Sequence, residues 1–140
     1  MSGASGKEKP ITRVLLVDDQ MDIRLAFRYM LEADGYEVVE AANGTEALAQ
    51  LVQLPIDVIL TDLYMPWMDG LSLLRAVRSG KGPAPRIIAM SGSPNLGKAA
   101  SLEAARILGA DAVLQKPVSR LELKSTIDRL RGEPLPNPTA

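Results

Sequence analysis

"RVLLVDDQ", residues 13 to 20, runs from an apolar stretch straight into two adjacent carboxylates, Asp18 and Asp19. Neighbouring like charges repel, and a carboxylate beside a low-dielectric core is costly without a partner. Either the pair faces water in a helix-capping loop or it holds a cation. The same kind of run recurs downstream as "YEVVEA" (36–41), "DVILT" (57–61), "RIIAM" (86–90) and "DAVLQ" (111–115). Several of these runs are rich in Val and Ile with little alternation, as expected of strands covered on both faces.

The intervening segments carry helical spacing. Ile23, Ala26, Phe27, Met30 and Leu31 recur on one face of "MDIRLAFRYMLEADG", and Gly35 suits a C-terminal cap. Asn43 is placed to cap "NGTEALAQL", with Glu46 in the first turn. "GLSLLRAVRSG" is short and amphipathic, and "GKAASLEAARILGA" (97–110) is Ala-rich with a weaker apolar face. "SRLE" at 119–122 has the capping-box pattern, followed by Leu123, Ile127 and Leu130 on one face. Strand and helix thus alternate five times. The pattern predicts a doubly wound α/β domain: a five-stranded parallel sheet with right-handed crossovers and five helices on its two faces.

Composition narrows the chemistry. The chain has 140 residues, enough for one domain with a real core, and 46% hydrophobic against 24% charged residues, as in soluble globular proteins. Net charge is −1, and no basic run suggests a nucleic-acid face. The apolar runs are strand-sized, so no membrane span is expected. There is no Cys and no His. That excludes disulfides, thiolate catalysis, Ser-His-Asp triads, most transition-metal sites and a phosphohistidine step on this chain. Residues 1–10 lack the apolar segment of a signal peptide and read as a disordered leader. Residues 11–131 form the domain, and the Pro-rich 132–140 reads as a tail or a truncated linker.

In a parallel sheet all strands end at one edge, and ligands bind there. After the first strand come Asp18 and Asp19, after the third Asp62, after the fourth Ser91, and after the fifth Lys116 before Pro117. Taken singly, each has a bland reading: a capping pair, a solvated loop acid, a turn serine, a surface lysine. Gathered at one edge, the carboxylates read better as cation ligands than as a solvated pair.

A "DD" after the first strand, "D…MPxMDG" after the third, a hydroxyl after the fourth and "KP" after the fifth resemble the receiver domain of two-component response regulators. The resemblance runs from about residue 12 to 131. It implies a flavodoxin-like sheet of order 2-1-3-4-5 and a cytoplasmic, phosphorylatable signalling switch rather than an enzyme. By the same resemblance, Asp62 is the phosphoacceptor. Asp18, Asp19, Asp62 and the backbone carbonyl of Tyr64 hold Mg²⁺, Lys116 pairs first with Asp62 and then with a phosphoryl oxygen, and Ser91 hydrogen-bonds the phosphoryl group. Lys116–Pro117 is implied to be cis. The implied partner is a sensor histidine kinase or histidine phosphotransfer protein, with neither nucleic acid nor membrane engaged by this domain. The residue types suit the task. A carboxylate and a phosphoryl dianion repel, and a hard divalent ion with an ammonium offsets that repulsion.

The sequence departs from the family at Val113, three residues before Lys116, where an aromatic side chain often reports the state of the hydroxyl. A β-branched Val cannot swing as a ring can, so the loop 91–98 is expected to carry the change. Tyr64 and Ser93 occupy positions at which family members tune dephosphorylation. Glu103, Arg106, Asp111, Arg120, Lys124 and Asp128 suggest a mixed-charge face for phosphorylation-dependent dimerisation or docking. Two rival readings exist. A pseudo-receiver acting as a constitutive interaction module conflicts with the intact Asp18, Asp19, Asp62, Ser91 and Lys116. A phosphatase of the haloacid-dehalogenase type needs Asp-x-Asp, which "DLY" lacks. With no effector domain, the sequence reads as a single-domain regulator or an excised receiver.

Overall fold

A computed structural model describes residues 11–63, 70–80, 84–91, 106 and 109–132. The elements are β1 (Arg13–Val17), α1 (Met21–Ala33), β2 (Glu37–Ala41), α2 (Gly44–Gln53), β3 (Val58–Asp62), α3 (Gly70–Arg78), β4 (Arg86–Ser91), β5 (Ala112–Gln115) and α4 (Arg120–Gly132). The strands form one sheet in the order β2-β1-β3-β4-β5. Every pairing is parallel, with Val14 opposite both Val38 and Val58, Ile59 opposite Ile87 and Ala89 opposite Val113. The expected doubly wound sheet and its order are therefore observed. Most of the helix expected at 97–110 lies outside the described residues, as do the leader and the tail.

The apolar runs of the central strands lack alternation because both faces are covered. Val14, Leu16, Val58, Leu60, Ile88 and Met90 point to one side and pack with Phe27 and Leu31 of α1 and Leu123, Ile127 and Leu130 of α4. Leu15, Val17, Ile59, Ile87 and Ala89 point to the other side and pack with Ala47 of α2 and Leu73 and Leu74 of α3. Burying each of the larger of these side chains contributes about 1.5–3 kcal/mol. Two layers of this kind fix the strand register, because a one-residue slip would exchange the faces.

Capping chemistry sets the helix ends. Asn43 Oδ1 accepts from Glu46 N at 2.8 Å, and Glu46 Oε1 accepts from Ala42 N at 2.8 Å. Ser119 Oγ accepts from Glu122 N at 3.0 Å. Helix α1 closes with Gly35 N on Glu32 O and Tyr36 N on Leu31 O, a pair of bonds that requires the left-handed φ of +89° at Gly35.

Two placements correct the expected charged face. Asp111 lies at the amino end of the sheet, where it accepts from Ile87 N at 2.7 Å and pairs with Arg78 at 2.7 Å and Arg86 at 3.4 Å. It is spent in holding β5 and α3 to β4. On α4, Arg120 pairs with Asp34 at the end of α1 (2.8 Å), and Asp128 accepts from Tyr36 (2.8 Å) as well as from Lys124. The Arg120–Asp34 and Tyr36–Asp128 contacts tie α4 to α1, Lys124–Asp128 lies within α4, and these three charged side chains of α4 remain open to solvent. Of the rest, Arg106 is exposed and Glu103 is outside the described residues.

Candidate functional site

The carboxyl edge of the sheet gathers the polar residues singled out in the sequence. Asp62 and Ser91 are the last residues of β3 and β4 rather than the first beyond them, and Asp18 and Lys116 directly follow β1 and β5. The strand ladders extend to this edge and tie it together. Asp18 N donates to Ala41 O at 3.1 Å, Leu63 N to Met90 O at 2.9 Å and Lys116 N to Ser91 O at 2.9 Å. These bonds join β1 to β2 and β3 to β4 and β5 at this edge, before any side chain acts. The Lys116–Pro117 peptide bond is cis, as the resemblance implied.

The side chains converge. Lys116 Nζ lies 3.1 Å from Asp18 Oδ2 and 3.3 Å from Asp62 Oδ2. Asp18 is fully buried and Asp62 is 7% exposed, so neither carboxylate is hydrated as in water and the shared ammonium is what makes their burial tolerable. Asp18 Oδ1 accepts from Gln20 N at 2.9 Å, which aims the remaining oxygen inward. Asp19 is exposed at the rim of the cluster. One carboxylate oxygen from each of Asp18, Asp19 and Asp62 falls within 4.8 Å of the others. An all-oxygen donor set on rigid strand ends suits a hard cation such as Mg²⁺, which takes few protein ligands and keeps several waters. Among the described residues this is the only such acidic group.

Ser91 adds a second unusual feature. Its Oγ is buried and, among the described residues, is the one buried side-chain polar atom without a hydrogen-bond partner. A buried hydroxyl left unpaired costs about 1–3 kcal/mol, which is tolerable where the group has a task. Val113 takes no part in the cluster: it is half-buried within the apolar layer of α2 and α3. Tyr64 and Ser93 lie outside the described residues, as do positions 92–98 of the loop expected to move.

Sequence reasoning missed one contact at this edge. Arg24 on α1 donates from Nη1 to the backbone carbonyl of Asp18 at 2.7 Å and from Nε to Glu40 at 2.9 Å. A signal did exist: Glu40 is the penultimate residue of β2, where a half-buried acid requires a partner.

Comparison with known proteins identifies the family. Residues 14–128 match the family model described as the response regulator receiver domain. The transcriptional regulatory protein ResD of Bacillus subtilis is 36% identical over 112 residues, covering 80% of this chain and 45% of ResD. A protein-glutamate methylesterase/protein-glutamine glutaminase of Archaeoglobus fulgidus is 37% identical over 119 residues, covering 84% of this chain and 34% of that protein. The chain therefore spans less than half the length of these curated relatives. Among solved structures, a signal receiver domain from Bermanella marisrubri superposes with a TM-score of 0.79 at 32% identity, covering 88% of this chain and all of that one. The chemotaxis protein CheY4 of Vibrio cholerae gives 0.75 at 33% identity, covering 86% and 98%. No helix among the described residues is long and apolar enough to cross a membrane.

Proposed function

The chain belongs to the receiver-domain family of response regulators, and on that footing we propose that it is a phosphorylatable switch whose acceptor is Asp62. The observation that carries this reading is the Lys116 ammonium shared between the buried carboxylates of Asp18 and Asp62, beside a buried Ser91 hydroxyl with no partner. A structural ion pair would not need a crowded second carboxylate or an idle hydroxyl. A phosphoacceptor needs both.

An Asp62 carboxylate oxygen attacks phosphorus. The new O–P bond forms as the N–P bond of a phosphohistidine, or the corresponding bond of a small phosphodonor, breaks. The electron pair leaves with the donor, whose ring nitrogen is then free to take a proton. Lys116 turns from the Asp62 carboxylate to a phosphoryl oxygen, which satisfies the ammonium in both states. Ser91 Oγ gains an acceptor. Asp18, Asp19 and Asp62, with the Tyr64 carbonyl by family resemblance, would hold Mg²⁺, which would supply charge neutralisation for the transferring group. Hydrolysis of the resulting acyl phosphate resets the switch, with Tyr64 and Ser93 placed by family resemblance to govern access of water.

The donor in this proposal is a sensor histidine kinase or histidine phosphotransfer protein, because the chain has no His of its own. A groove of about 430 Å³ bounded by Ile23, Phe27, Met30 and Lys116–Val118 opens beside the acceptor, and Met21, Leu25 and Tyr29 lie exposed along α1. An apolar rim next to the acceptor fits a docking partner better than free solvent. Phosphorylation-dependent dimerisation or docking through the face around β5 and α4 completes the proposal. Neither nucleic acid nor membrane is assigned to this domain, and the activities of the longer relatives stay with those proteins.

Intact mass after incubation with acetyl phosphate or phosphoramidate and Mg²⁺ tests the reading. One added phosphoryl group is expected, absent without Mg²⁺ and absent in Asp62→Asn. Equal labelling of that variant would move the acceptor elsewhere. No labelling of the native chain would favour a constitutive interaction module.

A further inference from the structure

We propose that Arg24 is a positioning residue for the acidic cluster: it fixes the Asp18–Asp19 peptide plane and is itself aimed by Glu40. The inference rests on the cation-site reading of Asp18, Asp19 and Asp62 given above.

Asp18 is held at three points, one of which, the Gln20 N–H on its Oδ1, closes a turn across Asp19. The Asp18 N–H is on Ala41 O, its Oδ1 accepts from Gln20 N, and its Oδ2 faces Lys116. Arg24 adds a fourth point, on the carbonyl of the peptide that joins Asp18 to Asp19. That peptide is planar, so fixing its carbonyl oxygen fixes the plane that carries the Asp19 Cα. Arg24 Nη1 does this at 2.7 Å, the shortest of the contacts made to Asp18. Asp19 is exposed and reaches the cluster from the rim, so its direction depends on the backbone that carries it.

The guanidinium is fixed in turn. Glu40 accepts from Arg24 Nε at 2.9 Å, and its second oxygen pairs with Arg28, which also bonds Glu32 at 3.1 Å. Burial pushes the Glu40 carboxyl up, but hydrogen bonds from Arg28 and then Arg24 outweigh it and hold the group below the ordinary range. Glu40 is therefore an anion at neutral pH and remains a partner for Arg24. The Arg24 and Glu40 side chains are only 15% and 23% exposed, so the pair is poorly screened. The planar fork is essential to this arrangement. It places one donor on Glu40 and another on the Asp18 carbonyl in one fixed plane, a spacing that a lysine ammonium, with its donors on a single nitrogen, does not impose.

Geometry and charge predict opposite signs. Arg24 is a cation near the place where Mg²⁺ would sit, so by Coulomb's law alone Arg24→Ala strengthens Mg²⁺ binding. If positioning dominates, the same change weakens it, by about 10-fold, the low end of the effect of losing outer-sphere support at a metal site. Arg24→Lys keeps the charge and the helix and loses the fork. It is expected to weaken binding several-fold.

The measurement is Mg²⁺ titration of the full chain by calorimetry, with melting of the metal-free proteins alongside. Titrations are run below the melting point, so that a purely structural loss shifts melting and leaves affinity unchanged. Weaker binding in both variants supports the inference. Tighter binding in Arg24→Ala, or native affinity in Arg24→Lys, overturns it, and Arg24→Lys decides alone if the alanine variant does not fold. A native chain that binds no Mg²⁺ overturns the cation-site reading and this inference together. Native binding with unchanged variants overturns the positioning role only.

Discussion

Replacing Lys116 with Met keeps an unbranched stem of similar length and removes the ammonium between two buried carboxylates. That ammonium lies 3.1 Å from Asp18 Oδ2 and 3.3 Å from Asp62 Oδ2. At an effective dielectric constant near 20, each attraction amounts to about 5 kcal/mol before solvation is counted. Dehydration of the ammonium cancels several kcal/mol of that sum. The Lys116 side chain is 21% exposed, so water screens part of the remainder. What stays behind is the larger effect: Asp18, fully buried, and Asp62, 7% exposed, become neighbouring anions with no ammonium between them. The net loss is about 2–4 kcal/mol in the absence of divalent ions, a fall in melting temperature of roughly 8–16 °C for a domain of this size. Mg²⁺ should restore much of it, because the cation takes over the role of the ammonium and no longer competes with it. Saturation at 100 times Kd is worth about 2.7 kcal/mol. Urea unfolding followed by circular dichroism, with and without Mg²⁺, measures both quantities. In an Asp62→Asn background the same lysine change should cost about half as much, since one of its two anions is gone. A Lys116→Met protein as stable as the native chain without Mg²⁺ would refute the reasoning. So would an equal cost in the Asp62→Asn background.

Other perturbations test the frame around the site. Asp111→Ala removes the acceptor of Ile87 N and the counter-ion of Arg78 and Arg86 in one change. A loss of about 3–5 kcal/mol is expected, against under about 1 kcal/mol for Glu32→Ala at the exposed Arg28 pair; equal urea midpoints for the two variants would contradict the placement of Asp111. The hydrogen bond from Arg120 holds the Asp34 carboxyl below its ordinary range. A lowered carboxyl pKa contributes stability above the unfolded value, about 3.9, and loses it as pH falls through the folded value. The stability gap between the native chain and Arg120→Gln is therefore expected to be flat from about pH 5 to 7 and to close below about pH 4; a gap that persists unchanged in stronger acid would rule out the ion pair as its source.

Apolar runs, caps and strand-end residues are legible in the sequence because each is a local property. "RVLLV" and "RIIAM" are strands because four successive apolar side chains in each, Val14–Val17 and Ile87–Met90, are buried on alternating faces, and Asn43 and Ser119 cap because their side chains reach N–H groups three residues on. The strand order comes from the family resemblance, since the apolar pattern does not say which strands are neighbours. Pairings between charges far apart in sequence are not legible. The charge pattern suggests an output face that includes Asp111, yet Asp111 is consumed by Arg78 and Arg86 at the opposite end of the sheet. Arg24 looks like one more residue on the polar face of α1, and only the fold brings it to the Asp18 carbonyl. The roles of Tyr64 and Ser93 rest on resemblance alone.

The two ends of the sheet obey different rules, and the contrast points to the working end. At the amino end, Asp111 accepts from Ile87 N and from both arginines, while Arg78 also caps Gly109 O at 2.6 Å and 2.9 Å. There two arginines share one carboxylate, both Asp111 oxygens have donors, and the cluster stabilises the β4–β5 pairing. At the carboxyl end, two buried carboxylates share one ammonium, a third stands at the rim, and a buried hydroxyl has no partner. That cluster can be improved by an added cation and by an added phosphoryl group, and each would repair a defect that the fold tolerates. A domain stabilised elsewhere can hold such a cluster in place, as local departures from good packing tend to mark functional positions. Stabilising the amino end should leave phosphoryl acceptance intact, whereas repairing the carboxyl end with apolar side chains should stabilise the fold and abolish it.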